Sequence, residues 1–185
     1  MRYDTITKYL REHRIISRWT TFNNSFQSAL AIPEKYDDAK AAEALSILGQ
    51  QVDDELECVY CGAPAATWDH LYNNVVEGRF SGYGNRMFNL VPACRTCNER
   101  KGAKHWRKFL EEERRTDLEA RITVLTNFEA RSNRERLGWK EISAEMPDLA
   151  NKYDQLQTDL RTLLSKLDKT AQQIRERIRG RTVSA

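Results

Sequence analysis

The chain has 185 residues, of which 40% are apolar and 31% charged, and its 30 Lys/Arg against 27 Asp/Glu leave a formal net charge of +3. That length suffices for one domain with a real core, or for a small core with appendages. No apolar run approaches the ~20 residues of a membrane span, and the opening "MRYDTITKYLREHR" lacks the apolar centre of a secretion signal, so a soluble, cytoplasmic protein with no membrane partner is expected.

Residues 1–50 read as helical. "TKYLREHRIISRW" carries a loose helical stripe of Tyr9, Leu10, Ile15, Ile16 and Trp19. "NNSFQSAL" supplies helix-start residues. "DDAKAAEALSILGQ" has aspartates to cap a helix, an alanine-rich body and Gly49 just past its end. Residues 58–102 change character: "AATWDHL" and "MFNLV" read as strands, joined by the long glycine-bearing loop "NNVVEGRFSGYGN". Long loops inside compact domains are commonly functional. From Lys104 onward the spacing predicts helix again, with Trp106, Phe109, Leu110, Leu118, Ile122, Leu125 and Phe128 as its apolar side. Pro147 opens a further element, in which Leu149, Tyr153, Leu156, Leu160, Leu163, Leu167 and Ile174 step by four and three. That is a heptad stripe over about 149–178, read either as a dimer coiled coil or as an amphipathic helix packed on its own body.

Charge is unevenly spread. Residues 58–110 carry eight Lys/Arg and three acids, whereas residues 1–57 carry seven bases and ten acids. A locally basic segment is what a phosphate-facing surface needs, although any one of its bases reads equally well as a solvated charge. The same segment holds two C-x-x-C pairs, Cys58/Cys61 and Cys94/Cys97. In a reducing compartment such pairs point to metal before disulfide. Four thiolates fill a tetrahedral structural zinc site and leave no position for water, so the site staples the fold and does no chemistry. The 32 residues between the pairs exceed a tight ribbon, so an insertion sits inside the zinc frame.

The insertion carries Asp69-His70, then Asn89, then "CRTCNERKG" with Asn98, Lys101 and Gly102. This order, with "TWDHL", "SGYGN" and "NLVPACRTCNERKG", resembles the HNH (ββα-metal) endonuclease family over about residues 58–108. The resemblance implies a small zinc-stapled ββα-metal nuclease core (58–108); with the helical patterns on either side, an α+β chain is expected in which that core lies between an N-terminal helical segment (1–57) and a C-terminal helical region (109–185). It implies His70 as general base, Asp69 and Asn98 as ligands of a catalytic Mg²⁺ (Mn²⁺ as substitute), and Asn89 as the residue that fixes the loop and orients the histidine. The third signature position is Asn, an H-N-N variant, which favours a hard, oxygen-ligated ion.

The chemistry is coherent. A histidine with an ordinary pKa of about 6.5 can take a proton from water, and a divalent ion held by Asp and Asn oxygens can polarise a phosphate. One condition applies: neighbours in a regular strand face opposite ways, so Asp69 and His70 share a site only if the strand ends or bends there. Arg79, Arg86, Lys101 and Lys104 are the candidate phosphate contacts. The function expected from the resemblance is a metal-dependent endonuclease acting on double-stranded DNA, of the stand-alone type II restriction kind, with a homodimer to bring two sites to two strands. The alternatives are a phage or homing HNH nuclease, or a non-catalytic zinc-ribbon module that binds DNA.

Overall fold

The computed structural model describes residues 3–132 and 136–182. Among them are seven α-helices and four short strands, an α+β chain. It divides into two compact units, Asn24–Glu145 and the pairing of Met1–Asn23 with Met146–Ala185. These borders differ from those expected at 57/58 and 108/109. The reason is non-local: Ala44 and Leu48 pack into one core with Phe88 and Phe128, which joins residues before Cys58 to residues after Leu110.

In the unit 24–145, α1 (Trp19–Ser28) contributes its C-terminal half. "NNSFQSAL" therefore lies within and beyond α1 and does not start a helix. The helix α2 (Asp38–Ile47) forms as predicted: the Asp37 carboxylate accepts from the Lys40 N–H at 2.9 Å, and Gly49 takes φ +73° beyond the last turn. The strand β1 (Thr67–His70) follows, then β2 (Val75–Val76) and β3 (Arg79–Phe80), which pair as a small hairpin inside the expected loop. In "MFNLV" the first three residues form a 3-10 turn, Met87–Asn89, and only then does β4 (Leu90–Ala93) begin. The Asn89 side chain explains the shift, because it bonds the backbone of Tyr72 and Gly84 and competes with a strand ladder.

β1 pairs antiparallel with β4, Thr67 opposite Ala93 and His70 opposite Leu90. The helix α3 (Arg95–Lys101) follows β4 at once, with Cys94 as its N-cap. The helix predicted from Lys104 is two, α4 (Trp106–Glu113) and α5 (Leu118–Ser132). They are divided at Arg114, which takes the left-handed φ +49°. Next comes α6 (Trp139–Glu145).

Trp106, Phe109, Leu110, Leu125 and Phe128 are fully buried and form the floor beneath Val91, Ala93 and Leu71. At about 1.5–3 kcal/mol per large apolar side chain, this floor is the main support of the short strands. The loop before Met87 approaches the backbone that leads into α6 closely: a Cβ on Gly82, at φ +90°, would lie 2.5 Å from the Gly138 nitrogen.

In the second unit, α7 (Pro147–Thr182) starts with proline in its first turn. The predicted helix over "TKYLREHRIISRW" is replaced by two 3-10 turns, Tyr3–Lys8 and Ile15–Arg18. The N–H groups of Ile15 and Ile16, which would have continued a helix, go to the two carboxylate oxygens of Asp168 at 2.7 and 2.9 Å. Among the described residues no helix is long and apolar enough to cross a membrane.

Candidate metal centre and histidine site

The two C-x-x-C pairs meet. The Sγ atoms of Cys58, Cys61, Cys94 and Cys97 all lie within 4.8 Å of one another, and Cys61 Sγ stands 3.7 Å from Cys94 Sγ. Four sulfurs at ~2.3 Å from a tetrahedral Zn²⁺ stand about 3.8 Å apart, so the donor set fits a closed structural zinc site. The backbone builds each half. Cys58 O accepts from the N–H groups of Cys61 and Gly62, with Gly62 at φ +73°. The second half sits where the Cys97 N–H donates to Cys94 Sγ at 3.4 Å. Val59 N–H donates to Pro92 O at 3.0 Å, which fastens the first knuckle to β4. The Arg121 guanidinium supports the same knuckle from α5 through Val59 O at 2.9 Å. Burial pushes the Cys58 and Cys97 thiols up; a bound divalent ion reverses that preference by taking thiolates.

Within this frame β1 keeps the alternation of a regular strand to its last residue. Asp69 is buried and turns inward. Its Oδ2 accepts from the Tyr60 hydroxyl at 2.7 Å and pairs with Lys101 Nζ at 3.1 Å. Lys101 is fully buried and its ammonium also donates to the His70 main-chain oxygen at 2.7 Å. This corrects the expectation of Lys101 as a phosphate contact: a lysine with no exposed surface cannot meet DNA. Burial lowers the Lys101 pKa while Asp69 opposes that shift. Burial, and then Asp69, hold the Tyr60 hydroxyl far above its ordinary value.

His70 takes different partners. Its Nε2 lies 2.8 Å from Asn85 Oδ1, which also accepts from Asn74 Nδ2 at 3.3 Å. An amide oxygen only accepts, so this contact makes Nε2 the protonated nitrogen and leaves Nδ1 with its lone pair. Nothing local in "SGYGN" marks Asn85 for this role. Asn89 is buried and gives its amide to both ends of the loop: Oδ1 accepts from Tyr72 N–H, and Nδ2 donates to the Tyr72 and Gly84 oxygens. The backbone oxygen of Asn89 accepts from Leu71 N–H at 2.8 Å. Asn89 thus closes the segment that carries both His70 and Asn85, and it makes no direct bond to the histidine among the described residues.

Asn98 is half-buried on α3. It lies three residues before Lys101 and so on nearly the same face as the residue that contacts β1. Its side chain makes no hydrogen bond to the described residues, whereas Asp69 is already engaged by Tyr60 and Lys101. Of the other basic candidates, Arg79 is exposed with its guanidinium 5.0 Å from the Trp139 ring centroid. Lys104 is exposed and paired with Glu112 at 2.6 Å. Arg86 is half-buried and donates to the Tyr83 and Gly82 oxygens, so it holds the loop from within. Tyr83 stacks on Tyr72, with centroids 4.1 Å apart.

Comparison with protein-family models, with curated proteins and with solved structures finds no match to this chain.

Proposed function

We propose that this chain is a metal-dependent DNA endonuclease of the HNH kind, with His70 as the general base. The observation that carries this reading is the His70–Asn85 contact at the end of β1. It holds the imidazole in the tautomer whose Nδ1 can take a proton from water, on a β-β-α unit framed by four cysteines. Support also comes from the order of elements, β1 paired with β4 and followed directly by α3, which is what a ββα-metal core requires.

The residues divide the work. His70 accepts the proton of the attacking water, Asn85 fixes the ring, and Asn89 fixes the loop under both. The Asn98 amide oxygen is a hard donor suited to Mg²⁺. Asp69, expected as the other ligand, turns inward on the face of β1 opposite His70 and is held by Tyr60 and Lys101, so it does not share one ion site with His70. When bound, such an ion would neutralise charge on the phosphate and on the leaving oxygen. The exposed Arg79 and Lys104 are the bases suited to phosphates of double-stranded DNA.

The test is incubation of plasmid and genomic DNA with the protein and Mg²⁺ or Mn²⁺, followed by sequencing of the ends. Wild type should cut and His70→Ala should not. A shared sequence at the ends supports the restriction-type reading, and scattered ends favour a nuclease of low specificity. Equal inertness of wild type and His70→Ala across these substrates and ions would remove the basis for an enzyme.

A further inference from the structure

The second unit presents an unusual face. Along α7 the residues Arg161, Asp168 and Arg175, one heptad apart, carry the contacts with the unit's own N-terminal segment: Arg161 over the Trp19 ring at 5.3 Å, Asp168 to Ile15 and Ile16, and Arg175 to Glu12 at 3.4 Å. Leu164, between them, is buried. The apolar stripe of the heptad lies round the helix from that row. Its residues Leu149, Leu156, Leu163, Leu167 and Ile174 are 47–64% exposed. A row of large aliphatic side chains over some four helical heptads is expensive to leave in water.

We propose that a second copy of this chain covers the stripe, with the two α7 helices antiparallel. Side-chain chemistry selects the partner and its direction. Tyr153, Leu160, Leu167 and Ile174 occupy the a positions and Leu149, Leu156, Leu163 and Thr170 the d positions. In an antiparallel pair, a packs on d. One register matches every layer: Leu149 on the partner's Ile174, Leu156 on the partner's Leu167, Leu163 on the partner's Leu160, and Tyr153 on the partner's Thr170. The flanking row Lys152, Asp159, Lys166 and Gln173 is exposed. In that register Asp159 faces the partner's Lys166, Lys166 faces the partner's Asp159, and no like charges meet. A parallel pair instead sets Asp159 against the partner's Leu164, which its own chain already buries, brings no opposite charges together, and stacks Thr170 on the partner's Thr170. The proposal rests on α7 and its own unit alone and is independent of catalysis.

Light scattering on the full chain tests it. At tens of micromolar the mass should be twice the 21.6 kDa of one chain. Leu156→Glu/Leu163→Glu should halve it with helicity by circular dichroism unchanged, since both side chains are more than half exposed. Direction is read from charge. Asp159→Lys should raise the dissociation constant about tenfold or more at low salt, and Asp159→Lys/Lys166→Asp should restore it. This arm stands even if the leucine variant loses helix. A monomeric wild type, a dimer that survives the double leucine change, or an Asp159→Lys variant that dimerises as well as wild type would each overturn the proposal.

Discussion

The Lys101 ammonium lies 3.1 Å from Asp69 Oδ2 and 2.7 Å from the main-chain oxygen of His70. One buried charge on α3 therefore neutralises the inward-facing carboxylate of β1 and also holds the peptide that carries the candidate base. The pair is sealed on its far side by the Tyr60 hydroxyl. Strand alternation sets this arrangement: with Asp69 pointing in, His70 must point the other way, towards Asn85.

Breaking that pair should be costly. Removing one partner of a buried ion pair leaves an uncompensated charge, which typically costs about 3–5 kcal/mol. Lys101→Met is expected to lower the stability of the unit by about that much in urea unfolding. Asp69→Asn/Lys101→Met, which removes both charges and keeps an acceptor for Tyr60, should recover at least half of the loss. Equal destabilisation by the single and double variants would show that the charge pairing is not what matters.

A contact that fixes a tautomer should affect rate and leave stability alone. Asn85 is exposed, so Asn85→Ala should unfold within about 0.5 kcal/mol of wild type, as surface substitutions do. General-base catalysis is worth about 10²–10⁴-fold, so His70→Ala should lose that much DNA cleavage, while Asn85→Ala should lose on the order of 10-fold. Cleavage by Asn85→Ala at the wild-type rate would show that the loop does not orient the ring.

These two sites show what local sequence could and could not reveal. The cysteine pairs, the Asp37 cap, Gly49 and the strand around Asp69-His70 carry their signals within a few residues, and the structure contains all of them. Lys101 does not: in "CNERKG" it reads as one more surface base. Only α3 lying against β1 turns it onto an aspartate 32 positions earlier in the sequence. Asn85 sits in a loop whose path depends on Asn89 and on the approach of Gly82 to Gly138. Likewise the N-terminal stripe suggested a helix because its competitor, the Asp168 carboxylate, is about 150 residues away in the sequence.

Metal removal should melt the unit 24–145. Structural zinc contributes an apparent ~10 kcal/mol or more in small zinc-dependent folds, comparable with the whole ~5–15 kcal/mol of a typical domain. The strands β1 and β4 have four residues each and rely on the knuckles that flank them. Purified protein is expected to contain one zinc per chain by atomic emission. A strong chelator, or Cys94→Ser, should abolish its cooperative thermal transition. A metal-free protein that unfolds at the same temperature with and without chelator would exclude the zinc reading.

Acid should loosen the unit that contains α7 through a single carboxylate. The Ile16 N–H, joined by the Ile15 N–H and the charges of Arg14 and Arg175, holds Asp168 below its ordinary 3.8 despite some desolvation. A carboxyl group whose pKa is lower folded than unfolded contributes stability above its unfolded value and loses it as pH falls through the folded one. The contribution of Asp168 is therefore complete at neutral pH and fades below about pH 4. Asp168→Asn should lower the melting temperature at pH 7, because one amide oxygen cannot replace a carboxylate that accepts two N–H groups. The gap between variant and wild type should narrow steadily from pH 4 to pH 2 as the wild-type carboxylate takes up its proton. Other acids, including Glu34, titrate in both proteins, so the difference between the two curves isolates this residue. A gap that is the same at pH 2 as at pH 7 would mean that the ionised form of Asp168 does not hold the N-terminal segment to α7.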